Sequence, residues 1–433
     1  MVDVAQVAIG FCFMLGLMAL GLHVAVAMLL TSILGVITFM GIGPLASFGN
    51  QMWSIMNDFL LTSIPLFVLL GEILLRSGVT DRMYKTLALW LSPLPGGLLH
   101  TNIGASAVFA AVSGSSVATA ATISTVALPE FRKRKYNEKL VLGTIASAAT
   151  LGILIPPSVN LIIFGALTNT SIGQLFVAGI IPGVCLTLLF MMSIMLIARV
   201  YPGSAETSLE KAPFRERMAS LIHLIPPALI FIVTMGAIYF GWATPTEAAG
   251  AGVVLSLIIA AIYRGLSFDM LHAAFLSTMR ISALCLFIIA AAFYLNFVIG
   301  IMGVPQAMTE YVASLGVSKL SLIFILIAFY LVLGCFVETL SMMVGTIPVV
   351  FPIILFAGID PIWFGIFLVL MMELALITPP VGMNLYVVQG IRGHGAVSDL
   401  FIGIMPFVGI MGLFVLIIIA FPALVTWLPQ LMF

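Results

Sequence analysis

Residues 151–165 read LGILIPPSVNLIIFG, a membrane-grade apolar run interrupted at its centre by Pro156, Pro157, Ser158 and Asn160. Hydrocarbon tolerates irregular backbone only where protein or a water-filled cavity surrounds it. Proline removes a helical hydrogen bond and sterically breaks the helix. Such a break therefore has to be shielded, and it frees backbone carbonyls and a new helix N-terminus for other uses.

The rest of the chain supplies the shield. It has 433 residues, is 62% hydrophobic and 7% charged, and has a mean hydropathy of +1.27. Soluble domains are about 25% charged, so this composition requires a bilayer. Segments of about ten alternating residues, the mark of a membrane β-barrel, are not seen. The zero net charge gives no argument for nucleic acid. The stretch MVDVAQVAIG lacks a basic region and a cleavage site and reads as a first span, not a removable signal. Cys12, Cys185, Cys285 and Cys335 are scattered without metal-type spacing and read as small apolar fillers.

A spanning helix needs about 20 apolar residues. Ten segments qualify: 4–20, 23–40, 58–75, 139–170, 173–199, 221–240, 245–263, 281–301, 361–391 and 399–428. Pro156-Pro157 interrupts the fourth and Pro379-Pro380 the ninth. Apolar regions near 97–128 and 318–358 carry Gly and polar residues at their centres. If the N-terminus is periplasmic, all 16 Lys and Arg except Lys319 fall on the cytoplasmic side, as the positive-inside rule requires. This holds only if 97–128 and 318–358 each enter and leave on one side. They are therefore expected to be re-entrant hairpins, the first opening to the cytoplasm and the second outward.

The two regions echo each other. SGSSVATAATI (113–123) and LGCFVETLSMM (333–343) share Gly, Val and Thr at the same spacing, and IPPSVNL and TPPVGMNL follow them. A third double proline, in LIPPALI (224–230), has neither the Asn nor the hairpin. The echo predicts a duplication whose copies have opposite topology. That is the pattern of inverted-repeat secondary transporters, which bind substrate and ions at midplane between discontinuous helices. Carbonyl, hydroxyl and amide oxygens at Ser113-Gly114-Ser115-Ser116, at Gly334 to Ser341, and at Asn160 and Asn384 suit a hard monovalent cation; a transition metal would want His or Cys. The five histidines all fall near the cytoplasmic edge. Glu338, at the second tip, either holds a cation or proton or caps the backbone. Glu72 and Arg76 form an i,i+4 pair, Glu247 favours a helix start, and Glu373 has no evident role. Residues 52–59 and 82–94 read as amphipathic surface helices.

The stretches AAVSGSSVATAATISTVALPEFRKRKY, LGILIPPSVNLIIFG and ALITPPVGMNLYVVQG resemble the large membrane subunit of tripartite ATP-independent periplasmic (TRAP) transporters, over nearly the whole chain. The resemblance implies an inner-membrane permease that pairs with a small four-helix membrane subunit and receives an organic acid from a periplasmic binding protein. It implies uptake of a C4-dicarboxylate, sialic acid or similar carboxylate driven by Na⁺, with an elevator motion of a transport domain past a scaffold. On this pattern one Na⁺ site comprises Ser113, Ser115, Ser116 and Asn160, with Gly114 at the same tip. The other comprises Thr339, Thr378, Gly382 and Asn384, with Gly334 and Glu338 at its tip. Substrate lies near Ser113, Ser116 and Ser158.

The expected fold is an all-α polytopic membrane protein. Scaffold spans and an interfacial arm occupy 1–96, the first repeat core 97–199, central scaffold spans 200–317, the second repeat core 318–398 and a C-terminal span 399–433. Two other functions stay open at this point: a stand-alone ion-coupled anion carrier, and an intramembrane enzyme. The enzyme would need a base near the serines.

Overall fold

The computed structural model describes residues 4–134, 136–201, 203 and 213–433. Lys135 and Lys211, counted above in the argument for orientation, lie outside the described residues, as does most of the polar loop 200–217. The described chain is helical, without a strand. In order, the helices are α1 (Val4–Ala19), α2 (Val24–Phe39), α3 (Phe48–Met56), α4 (Ser63–Arg76), α5 (Val79–Leu91), α6 (Leu98–Ser113) and α7 (Ser116–Arg132). There follow α8 (Glu138–Leu154), α9 (Val159–Thr168), α10 (Ile172–Val200), α11 (Phe214–Ser220), α12 (Ile225–Tyr239), α13 (Pro245–Ile262) and α14 (Phe268–Ile301). The last are α15 (Val304–Ser314), α16 (Lys319–Gly334), α17 (Thr339–Phe356), α18 (Pro361–Ile377), α19 (Met383–Arg392), α20 (Ser398–Ala420) and α21 (Ala423–Met432). Eight helical segments among the described residues are long and apolar enough to cross a bilayer.

Both hairpins and both broken helices are present. Helices α6 and α7 turn back on each other at Gly114-Ser115, and α16 and α17 at residues 335–338. Helix α8 stops at Leu154 and α9 resumes at Val159; α18 stops at Ile377 and α19 resumes at Met383. The Pro156-Pro157 and Pro379-Pro380 bonds are both cis. Of the candidate spans, Glu138–Thr168 is the most enclosed, 89% of its apolar window being buried. The interrupted backbone thus sits where protein, not lipid, surrounds it.

The repeats interlock. Each hairpin packs on the first half-helix of its own repeat, α6 and α7 on α8, α16 and α17 on α18. Each also packs on the second half-helix of the other repeat, α7 on α19 and α17 on α9. Helix α20 closes over α8 so tightly that a methyl on Gly403 would lie 1.9 Å from the Lys139 carbonyl oxygen. At the same end, the buried Arg392 guanidinium joins Glu138 at 2.9 Å and Asp399 at 3.0 Å, tying α19 to the starts of α8 and α20. The arm helix α5 enters this body through Tyr84, whose hydroxyl donates to Asn102 Oδ1 (2.8 Å); Asn102 Nδ2 donates to Thr144 Oγ1 (3.1 Å).

Some boundaries differ from the sequence reading. Helix α14 begins thirteen residues earlier than expected, because Ser267 accepts from the Met270 amide and starts it there. Helix α15 was not anticipated, being short and amphipathic. The last span stops at Ala420, since Pro422 cannot continue it, and resumes as α21. Helix α13 opens with a capping box: Thr244 Oγ1 accepts from the Glu247 amide (3.3 Å), and Glu247 Oε2 accepts from the Thr244 amide (2.8 Å). Thr244→Ala is expected to cost about 1 kcal/mol. It should lower the melting midpoint in detergent by no more than a few degrees, with uptake retained.

Candidate functional site

The first hairpin tip is closed by its own polar groups. Gly114 takes the left-handed conformation (φ 61°) that ends α6. Ser115 then caps α7, its Oγ accepting from the Ala118 amide at 3.3 Å. Thr119 Oγ1 donates to the Ser115 carbonyl (2.7 Å) and lies 3.2 Å from Ser113 Oγ. This tip rests directly on the first break. A Cβ on Gly114 would stand 2.6 Å from the Pro157 carbonyl oxygen, and one on Gly152 would stand 2.6 Å from the Ser115 carbonyl. Within the break, the buried Ser158 donates to the Ile153 carbonyl at 2.6 Å.

At the second tip Glu338 caps α17. Its carboxylate accepts from the amides of Leu340 and Ser341, both at 3.1 Å, and from the hydroxyls of Thr339 (3.2 Å) and Ser341 (3.1 Å). Of the two roles open to Glu338, backbone capping is the one this geometry carries out. Gly334 lies against Ala375 of α18, where an added Cβ would meet the alanine methyl at 2.4 Å. In the second break Thr378 Oγ1 donates to the Leu374 carbonyl (2.6 Å), and the Gly382 amide donates to the Thr378 carbonyl (3.2 Å).

One feature separates tips from breaks. The second helix of each hairpin is capped by a side chain, Ser115 or Glu338. The second helix of each break, α9 or α19, has no side-chain cap. Orphan amides at a helix N-terminus favour an anion. Asn384, grouped with the second hairpin from sequence, reaches instead across to the first. Its Nδ2 donates to Ser116 Oγ (2.7 Å) and to the Ala146 carbonyl (3.3 Å). Its buried Oδ1 has no protein partner, an open acceptor that fits a hard cation beside Ser116.

A cavity of about 140 Å³ joins the tips. It brings together Ser113, Gly114, Ser115, Ser116, Asn160, Glu338 and Thr339. Ser158, Gly334, Thr378, Gly382 and Asn384 are not among its lining residues. Its far wall comes from two helices outside the repeats, through Gly71 and Glu72 of α4 and Cys285 of α14. Glu72 pairs with Arg76 at 2.8 Å, as expected, but its place at the cavity was missed. The i,i+4 spacing that marks such a pair says nothing about which neighbour it faces. Larger crevices of about 350 and 840 Å³ flank α1, but their walls are almost wholly apolar. Among the described residues no group of three or more His, Cys, Asp or Glu could hold a metal.

Residues 11–424 match the family described as the tripartite ATP-independent periplasmic transporter, DctM component. The chain belongs to this family. It is 32% identical to a C4-dicarboxylate TRAP transporter large permease protein of Vibrio cholerae, with 98% of each chain covered. It is 30% identical to the sialic acid TRAP transporter large permease of the same organism, covering 88% of this chain and 89% of that one. These relatives are transporter permeases, not enzymes. The YdaH transporter of Alcanivorax borkumensis shares the fold, with a TM-score of 0.61 and 15% identity over 88% of this chain and 89% of that one. As a TRAP large permease with membrane-crossing helices, the protein is a multi-pass inner-membrane subunit.

Proposed function

We propose that this permease imports an organic acid anion coupled to Na⁺, by moving its interlocked repeats past α4 and α14. The N-terminus lies in the periplasm, which leaves Lys319 alone among the basic residues on that side. The carrier comprises 97–199 and 318–398, and the flanking spans form the scaffold. A small four-helix membrane subunit completes the scaffold, a periplasmic binding protein delivers the substrate, and membrane lipid surrounds both. One Na⁺ binds at the first tip, among Ser113, Ser115, Ser116 and the open Oδ1 of Asn384. A second binds near Thr339 and Asn160, with Thr378 and Gly382 shaping the adjacent break. The anion sits in the cavity at the uncapped start of α9, beside Ser113 and Ser116, with Ser158 shaping the break behind it.

The observation that carries this reading is the junction itself. Both tips, one break and two outside helices line one cavity, and the buried Asn384 amide oxygen, on the side chain that bonds Ser116, has no protein partner. Each net positive charge moved inward across 100 mV contributes about 2.3 kcal/mol, so two Na⁺ with a monovalent anion gain about that much from the voltage, in addition to the Na⁺ gradient. The test is uptake into proteoliposomes holding the permease, its small subunit and the binding protein, with radiolabelled succinate and sialic acid as probes. Uptake of at least one probe is expected in an inward Na⁺ gradient and not in K⁺-only buffer. Equal uptake in both buffers refutes the coupling.

A further inference from the structure

Glu373 is the one carboxyl of α18 and is fully buried, and neither of its oxygens has a hydrogen-bond partner. The elements packed on α18 bring few titratable groups, and none of them bonds Glu373. Glu138 and Lys139 at the start of α8, Arg392 of α19 and Asp399 of α20 pair with one another. Tyr386 of α19 donates to the Pro380 carbonyl, Lys319 of α16 to the Gly358 carbonyl, and Tyr330 of α16 bonds Thr346. Cys185 and Arg199 of α10, Cys335 after α16 and Glu338 before α17 make no bond to Glu373. Helices α9, α17 and α21 carry no titratable residue. A buried carboxylate without a counter-charge or donor is expensive, whereas the neutral acid is tolerated.

The fold does not require this carboxyl. Glu373 stands six residues before Pro379; six residues before Pro156 stands Thr150, whose hydroxyl closes on the Ser147 carbonyl of its own helix (2.8 Å). The first repeat builds the same break without an acid. Six residues of helix place Glu373 about 9 Å from the second break.

We propose that Glu373 is a proton-binding site of the carrier, loaded from solvent when the cation sites are empty and weakened when a cation occupies the second site, beside the second break. A unit charge about 9 Å away, at an effective dielectric of about 20, changes proton affinity roughly 20-fold. Linkage is reciprocal, so losing the proton strengthens cation binding by the same factor. The linkage rests on the Na⁺ reading above; the proton site does not.

Two measurements on the full chain in liposomes separate these parts. Infrared spectra in Na⁺-free choline buffer at neutral pH should contain a protonated-carboxyl band that Glu373→Gln removes; its absence from the wild type overturns the site. Na⁺ alone is then titrated at several pH values, read by tryptophan fluorescence. Wild-type affinity should rise roughly 20-fold as the band titrates away, while Glu373→Gln stays at the wild type's low-pH value. A flat wild-type profile overturns the linkage. No response to Na⁺ at any pH removes the Na⁺ reading and the linkage together, and the band still decides the proton site. Glu373→Met provides a second non-ionisable variant should the glutamine form fail to fold.

Discussion

Gly114→Val is expected to lower uptake by about 30-fold or more while the protein still inserts and folds. The position combines two constraints. Its φ of 61° costs a side-chain-bearing residue about 1–2 kcal/mol. Its Cβ would stand 2.6 Å from the Pro157 carbonyl oxygen and 3.5 Å from the carbonyl carbon, where backbone cannot yield as a flexible side chain can. Overpacking of this kind costs about 1–3 kcal/mol more. Together these disfavour the seated tip by about 30-fold to several thousand-fold. The strain is relieved if the tip lifts from the break, which opens the cavity and leaves the surrounding helices in place. Gly250 of α13, with nothing within 4 Å of an added Cβ, is the control; Gly250→Ala should keep uptake within about twofold. Uptake by Gly114→Val at the level of this control would show that the tip need not seat on the break.

Asn384→Ala is the second large effect. The amide makes two buried hydrogen bonds, to Ser116 and to the Ala146 carbonyl, and its buried Oδ1 has no protein partner. Removing it leaves the buried Ser116 hydroxyl without this partner, at about 1–3 kcal/mol, and takes a second donor from the helical Ala146 carbonyl. The expected outcome is a rise of about 100-fold in the Na⁺ concentration that half-saturates uptake, with a smaller loss at saturating Na⁺. Ser116→Ala should show part of this rise, and the double variant less than the product of the two, since the residues share one bond. An unchanged half-saturating Na⁺ concentration in Asn384→Ala removes this amide from the cation site.

Much of the architecture could be read from residues with few physical options. A double proline inside an apolar run has to break the helix, and Ser113 to Ser116 or Gly334 to Ser341 cannot cross lipid bare. Lysine and arginine placement then leaves little freedom for the two regions to be anything but hairpins. The partners of Asn384 could not be read this way. Spacing ties Asn384 to the hairpin that precedes it, whereas packing gives it to the hairpin of the other repeat, because α7 and α19 cross. The same limit hid Glu72, whose pairing with Arg76 was legible and whose position opposite the tips was not. Helix α15 and the early start of α14 escaped because amphipathic turns near an interface lack the long apolar run used to find spans.

The crossing of the repeats also sets the order in which this protein can be made. Ser116 and Asn384 are 268 residues apart in the chain. At about 5–20 residues per second, the first tip leaves the ribosome roughly 10–50 s before the amide that completes it. Through that interval its serines and the neighbouring break have only their own repeat for cover. The newborn first half must therefore wait at the membrane, shielded by the insertion machinery or by the small subunit, until the second half arrives to close it.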